Sequence, residues 1–383
     1  MIKFLKRTLG LEKKPLPAEL PPTPVLTPAP GAQFIAKAPG PLVMCKRCVL
    51  PHAPPDIWLD EQGICNICHN YDREQSCAPE EERELLESDF IKILDKHRGK
   101  KEYDCLCMLS GGKDSTAALY YVVKRYKLNP LVFTFNHGFV PDEHIDSARK
   151  TVDKLGVDFI YFHTTFMKDM FRKIVETKSK VVICPVCSLW YMMKTYEIAA
   201  MFDVPIIISG WTKGQTSGGR KSVLSKCACD TNPDEFGSMA KATRDFMNTH
   251  VRTDPKYKDF PRNMDEVLQI AKKKYKYRGI VLSPHWFVPG GPDEYVPLIQ
   301  RELGWEYPER SWPKKSTNCD MNYLATKLSM KNYGYSVYHI EMANMIRMGM
   351  ITRDEALHIL DTEFPDHILQ GIHEKLGTAA EHR

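Results

Sequence analysis

No stretch of the 383-residue chain approaches the run of about 20 apolar residues that a membrane-spanning helix needs. Nor does an apolar segment with a small-residue cleavage site follow the opening residues, so a cytoplasmic protein is expected. A strong excess of one charge is also missing. Lys and Arg number 53 against 48 Asp and Glu, a net charge of +5, which permits a nucleic-acid partner without demanding one. The GxxxxGKS/T phosphate loop is absent as well, which removes the common nucleoside-triphosphatase pattern. What is present in quantity is cysteine, with 12 residues. In a cytosolic chain so many thiols are better explained by metal than by disulfides.

The cysteines are ordered. Cys45, Cys48, Cys65 and Cys68 form a C-x2-C pair twice with 16 residues between, inside the spacing window of a four-thiolate zinc site. All four thiolates would be used, so such a Zn2+ ion is structural and has no open coordination position. Residues 1–43 precede this knuckle. They open with a basic stretch that could form a short amphipathic helix but is expected to be frayed, and continue as a proline-rich linker that can hold neither helix nor central strand. The expected organisation is a disordered segment 1–43, a zinc knuckle 44–75, a nucleotide-binding domain 76–230 and a mainly helical substrate region 231–383.

The stretch Cys105–Val123 places small and polar residues between an apolar strand and an apolar helix. Ser110, Gly111, Gly112, Lys113, Asp114 and Ser115 therefore sit at a strand-to-helix turn, expected to be an exposed loop. Adjacent glycines let a ligand approach the backbone, and a helix N-terminus favours a phosphate. The run SGGKDS resembles the PP-loop of the ATP pyrophosphatases, with Ser110, Gly111, Gly112, Asp114 and Ser115 matching SGGxDS and Lys113 at the variable position. The resemblance implies that the loop holds the pyrophosphate leaving group, with Mg2+, while ATP gives AMP to a substrate oxygen. Lys113, Asp114 and Ser115 are then the catalytic candidates, and Asp114 an indirect orienter of the metal. It implies a HUP-like sheet.

From Lys101 to Thr212 strand and helix alternate, which predicts a doubly wound parallel α/β sheet with its ligand beyond the carboxyl ends of the strands. Those ends are Ser110, the Phe135 to Gly138 region and Gly210. In PP-loop enzymes the second strand ends by the adenine and ribose, so Phe135, Asn136 and His137 are nucleotide-side candidates. For His137 a solvated loop histidine is the competing reading. A second cysteine group, Cys184 and Cys187 with Cys319, resembles the CxxC plus distant Cys by which some tRNA-thiolating PP-loop enzymes hold a [4Fe-4S] cluster with one iron open. Cys227 and Cys229 could instead complete a second zinc site with Cys184 and Cys187, and plain buried thiols are the third choice.

By order of motifs, most of the chain from Met44 to Pro365 resembles the N-acetyl sugar amidotransferases of surface-polysaccharide (lipopolysaccharide) biosynthesis. The stretches that carry this are CKRCVLP with PDIWLDEQGICNIC, the PP-loop about 40 residues later, LIQRELGW and MIRMGMITRDEAL. The central CPVC and STNC do not follow that family. The resemblance implies a nucleotide-sugar substrate whose acetamido group becomes an acetamidino group. No glutaminase signature is evident, so a partner glutaminase subunit would supply the ammonia. The alternative is a sulfurtransferase acting on tRNA or a small molecule through a cluster or cysteine-borne sulfur. A non-catalytic zinc scaffold is the third reading, against which the intact SGGKDS argues.

Three weaker signals complete the pattern. KKKYKYRG, Lys272 to Gly279, is expected to be a solvated helix face, with anion or RNA contact as the alternative. His285 and Trp286 either line a substrate mouth or pack as anchors. Thr352 and Glu355 have the spacing of a capping box.

Overall fold

The computed structural model describes residues 42–76, 87–215, 236–309, 319–361 and 364–379. The N-terminal segment to residue 41, Cys227 and Cys229 lie outside the described residues, as does the second zinc site that the last two would complete.

A short knuckle of isolated bridges and turns leads into α1 (Asn66–Ser76), followed by α2 (Glu87–Asp95). The sheet then begins with β1 (Cys105–Met108), α3 (Lys113–Tyr120), β2 (Pro130–Asn136), α4 (Asp142–Leu155) and β3 (Asp158–His163). Helices α5 (Phe166–Glu176) and α6 (Ile183–Met201) carry the chain across to β4 (Ile206–Ile208). After α7 (Gly237–Phe246) and α8 (Met264–Lys273) comes β5 (Ile280–Leu282), then α9 (Pro292–Leu303). Helices α10 (Met321–Tyr333), α11 (Val337–Arg347), α12 (Arg353–Leu360) and α13 (Asp366–Leu376) follow. None of the described helices is long and apolar enough to cross a membrane.

All five strands are parallel, in the order β3-β2-β1-β4-β5. Strand alternation divides the core into two layers. Leu106, Met108, Phe133, Ile207 and Val281 face one layer, which also holds the knuckle and the C-terminal helices. Cys105, Cys107, Val132, Ile206 and Leu282 face the other, with α2, α3, α4 and α9. Both faces of the sheet are thus covered by apolar side chains, as parallel strands require. β5 escapes the sequence pattern because a three-residue apolar run carries too little periodicity to be told from a loop.

The order of the strands fixes the site. The chain winds outward from β1 through β2 to β3, then returns past β1 to lay down β4 and β5 on its other side. The reversal opens a crevice at the carboxyl ends of β1 and β4, the place where such sheets take a ligand.

Candidate active site at the glycine-rich loop

The residues after β1 and β4 meet in that crevice. Gly111 lies at φ +82°, and a Cβ there would stand 2.1 Å from the His144 carbonyl oxygen. The indole Nε1 of Trp305 donates to the Gly111 carbonyl at 2.9 Å, so the tryptophan of LIQRELGW holds the loop from behind. Ser115 Oγ accepts from the Ser110 N–H at 3.1 Å and donates to the Gly112 carbonyl at 3.1 Å, closing the loop on itself. Gly210, the residue that ends the β4 turn, packs so tightly against α3 that a Cβ would come within 2.5 Å of Ser115 Cα. The loop and the first turn of α3, with its unpaired N–H groups and positive dipole end, form a rigid cradle suited to a phosphate.

The expected exposed loop is corrected here. Lys113, Asp114 and Ser115 belong to the first turn of α3, and Ser115 is buried. Lys113 Nζ pairs with Asp114 Oδ2 at 2.8 Å, and the Tyr295 hydroxyl donates to Asp114 Oδ1. Burial alone would raise the Asp114 carboxyl, yet the Lys113 ammonium and the Tyr295 hydroxyl hold it below the usual carboxylate range. His285 Nε2 donates to the Asp114 carbonyl at 2.8 Å and Trp286 is buried, so neither forms a substrate mouth. Tyr295, His285 and Trp305 come from the segment after β4, and no local pattern announces that they reach the loop.

A cavity of about 330 Å³ opens in front of the cradle. Ser110, Gly112, Asp114, Ser115 and Gly210 reach it from the loop side, and Phe135 and His137 from the end of β2. His137 is buried, not solvated, and burial lowers its pKa to about 4. Asn136 does not reach the cavity, because its amide donates to the Tyr161 hydroxyl at 2.7 Å and its oxygen accepts from the Gly138 N–H at 2.7 Å. Cys184 and Cys187, one turn apart on α6, line the same cavity together with Cys319. Burial pushes the Cys319 thiol up to about 12 and the Cys187 thiol well above its ordinary value.

Glu341 on α11 closes this wall, and sequence reasoning passed over it. Burial pushes its carboxyl up to about 7 against the opposing pull of Lys113.

The knuckle cysteines form a separate centre. Cys45, Cys48, Cys65 and Cys68 are fully buried, and their sulfurs all lie within 4.8 Å of one another. Backbone N–H groups of Cys48 and Cys65 point at Cys45 Sγ at 3.5 and 3.3 Å, and Arg347 Nη1 stands 3.9 Å from Cys68 Sγ. Donors and a cation around four sulfurs are what a metal tetrathiolate, with its net negative charge, requires. Among the described residues this is the one group of His, Cys, Asp and Glu that meets that ligand spacing, so the cavity cysteines do not form such a set as they stand.

Comparison with known proteins follows the same lines. The family model for queuosine biosynthesis protein QueC matches residues 104–187, the segment that contains the SGGKDS loop. An uncharacterized protein of Methanocaldococcus jannaschii is 21% identical over 268 residues, 70% of this chain and 75% of the relative. Among solved structures, the U34-tRNA thiolase NcsA of Methanococcus maripaludis with its [4Fe-4S] cluster aligns at a TM-score of 0.34 and 16% identity, covering 84% of this chain and 90% of that one. The NH3-dependent NAD synthetase of Campylobacter jejuni aligns at 0.29 and 18% identity, covering 49% and 81%. At such scores the two structures bear on no argument about activity.

Proposed function

We propose that the chain is an ATP pyrophosphatase that adenylates an amide or carbonyl oxygen, releases pyrophosphate and then replaces the oxygen with nitrogen from ammonia. The observation that carries this reading is the SGGKDS cradle at the β1/β4 crevice, facing a cavity of about 330 Å³ lined from the carboxyl ends of β1, β2 and β4. An amide oxygen is a poor leaving group, and as part of AMP it departs readily. The N–H groups of the loop and the α3 N-terminus stabilise charge growing on pyrophosphate. When bound with the nucleotide, Mg2+ supplies further neutralisation, and Asp114, already paired with Lys113 and Tyr295, suits an indirect orienting part. The acetamido group of a nucleotide-linked sugar fits this chemistry, with ammonia delivered by a glutaminase subunit. Four buried thiolates with inward N–H donors fit structural Zn2+ in the knuckle.

Nitrogen is preferred over sulfur because the stretches that carry the amidotransferase resemblance meet in the fold: Trp305 of LIQRELGW holds the loop, and Arg347 and Arg353 of MIRMGMITRDEAL cover the knuckle. The sulfur reading keeps one specific support: Cys184, Cys187 and Cys319 share the cavity with the loop. Product chromatography tests the first step, with AMP and pyrophosphate expected and ADP refuting it. The triple variant C184A/C187A/C319A tests the second. Ammonia-supported amidine formation by that variant is the expected result, and its failure in a folded protein, with loss of a brown chromophore, would transfer the assignment to sulfur.

A further inference from the structure

We propose that Glu341 is the proton acceptor for the nucleophile that enters the loop cavity, an assignment that rests on the adenylating reading above. Glu341 projects from α11 into the cavity that Ser110, Asp114 and Ser115 line, although it lies more than two hundred residues from them in sequence. Lys113 and Asp114 on α3 face it electrostatically, and Gln215, in the segment after β4, lines the same cavity and pulls its pKa down. The helix is pressed close at this point, since a Cβ on Gly214 would meet Met345 Cγ at 2.5 Å and the Glu341 carbonyl at 3.9 Å.

Its place opposite Lys113 and Asp114, together with the protonation states of those groups and of His137, favours Glu341 for this part. Asp114 is held ionised and Lys113 protonated by their mutual contact, against burial that works on both. His137 is neutral above about pH 4. Of these groups Glu341 alone exchanges a proton near neutrality, where a general base is most effective.

The step balances with the groups named. The ammonia nitrogen gives its lone pair to the activated carbon, and the bond from that carbon to the AMP oxygen breaks with its electrons remaining on AMP. The nitrogen then loses one proton to a Glu341 carboxylate oxygen. No oxidant or reductant is involved.

The isosteric variant Glu341→Gln separates this from a structural part, because the amide keeps the size and shape of the carboxyl and loses only its titration. Two measurements apply. Infrared titration of the wild type should show a carboxylic-acid band that disappears as pH rises through about 7 and is missing from E341Q. A Glu341 ionised from pH 5 upward would overturn the assignment. With ATP, ammonium chloride and UDP-N-acetylglucosamine as the acetamido probe, E341Q should retain pyrophosphate exchange into ATP while amidine formation falls about 10²- to 10⁴-fold and loses its rise with pH. Partial recovery in Glu341→Asp would support the same conclusion. Equal loss of exchange and amidine formation, or no loss of either, would refute it. A wild type that exchanges no pyrophosphate with this probe would count against the adenylating reading, leaving Glu341 to be judged on the infrared arm.

Discussion

Gly210→Ala is the sharpest probe of how the cradle is built. The added Cβ would lie 2.5 Å from Ser115 Cα and 2.6 Å from Ser115 N, where ordinary contact begins at 3.4 Å. Gly210 and Ser115 must therefore separate by about 0.9 Å (3.4 less 2.5), and neither neighbour is the free end of a flexible side chain. The strand behind Gly210 is fully buried, so the shift falls on the first turn of α3 and on the Ser115 hydroxyl that ties the loop. Overpacking of this kind costs about 1–3 kcal/mol. At roughly 2 °C per kcal/mol for a large domain, the melting temperature should drop by about 2–6 °C. The effect on rate should be larger, since a misplacement near 1 Å costs about 10²-fold where catalysis depends on position. Pyrophosphate release at saturating ATP and a thermal melt of the same preparation measure both quantities. Turnover within a factor of two of wild type, with an unchanged melt, would show that Gly210 does not set the position of the cradle.

Three further outcomes are expected. Cys45→Ser or Cys65→Ser should release one metal ion per chain by elemental analysis and make the knuckle susceptible to limited proteolysis, because such a metal contributes folding free energy directly; unchanged metal content would exclude these ligands. Tyr295→Phe leaves a buried carboxylate oxygen of Asp114 without its hydroxyl partner, a loss of about 1.5–3 kcal/mol for a hydrogen bond to a charged group, and the variant should melt earlier and turn over at least tenfold more slowly; wild-type behaviour in both assays would show that the contact is idle. Because burial raises Glu341 to about 7 from an ordinary 4.5, the folded chain binds a proton there that the unfolded chain has released, so raising pH from about 4.5 to 7 should cost the wild type stability that E341Q keeps; parallel melting curves of the two proteins across that range would contradict it.

Much of this architecture is legible from residues close in sequence. PLVFTFN is β2 over its full length, strand and helix alternate from β1 to β4 as the pattern from Lys101 to Thr212 implies, and Thr352 with Glu355 forms the capping box its spacing implies. The two C-x2-C pairs converge as read, because each pair is a local turn that needs only one closure to meet the other. What remains hidden depends on contacts of long sequence separation. Trp305, Tyr295 and His285 reach the loop across more than 170 residues, and their types suit a packed core equally well. Glu341 is the one acidic residue of a largely apolar helix, and no local pattern says whether its carboxyl faces a cavity or solvent. In KKKYKYRG the five basic side chains are exposed, as a solvated face requires, but only Lys272 and Lys273 continue α8, and Tyr277 turns into the core.

The bond between Arg347 and Cys68 spans 279 residues, and Arg353 Nε adds bonds to the Cys45 and Cys48 carbonyls at 3.2 and 3.0 Å. The knuckle is thus among the first described parts to leave the ribosome, and the helices that cover it are among the last. At about 5–20 residues per second, the interval between Cys68 and Arg347 is roughly 14–56 s. During that time the knuckle has no partner surface from α11 or α12, and it is too small to be held by an apolar core of its own. A bound metal is what would keep it shaped while the rest of the chain is made. Cells short of that metal should then accumulate misfolded nascent chains rather than folded protein that lacks the ion, and the defect would be one of birth, beyond repair by adding the metal to chains already released.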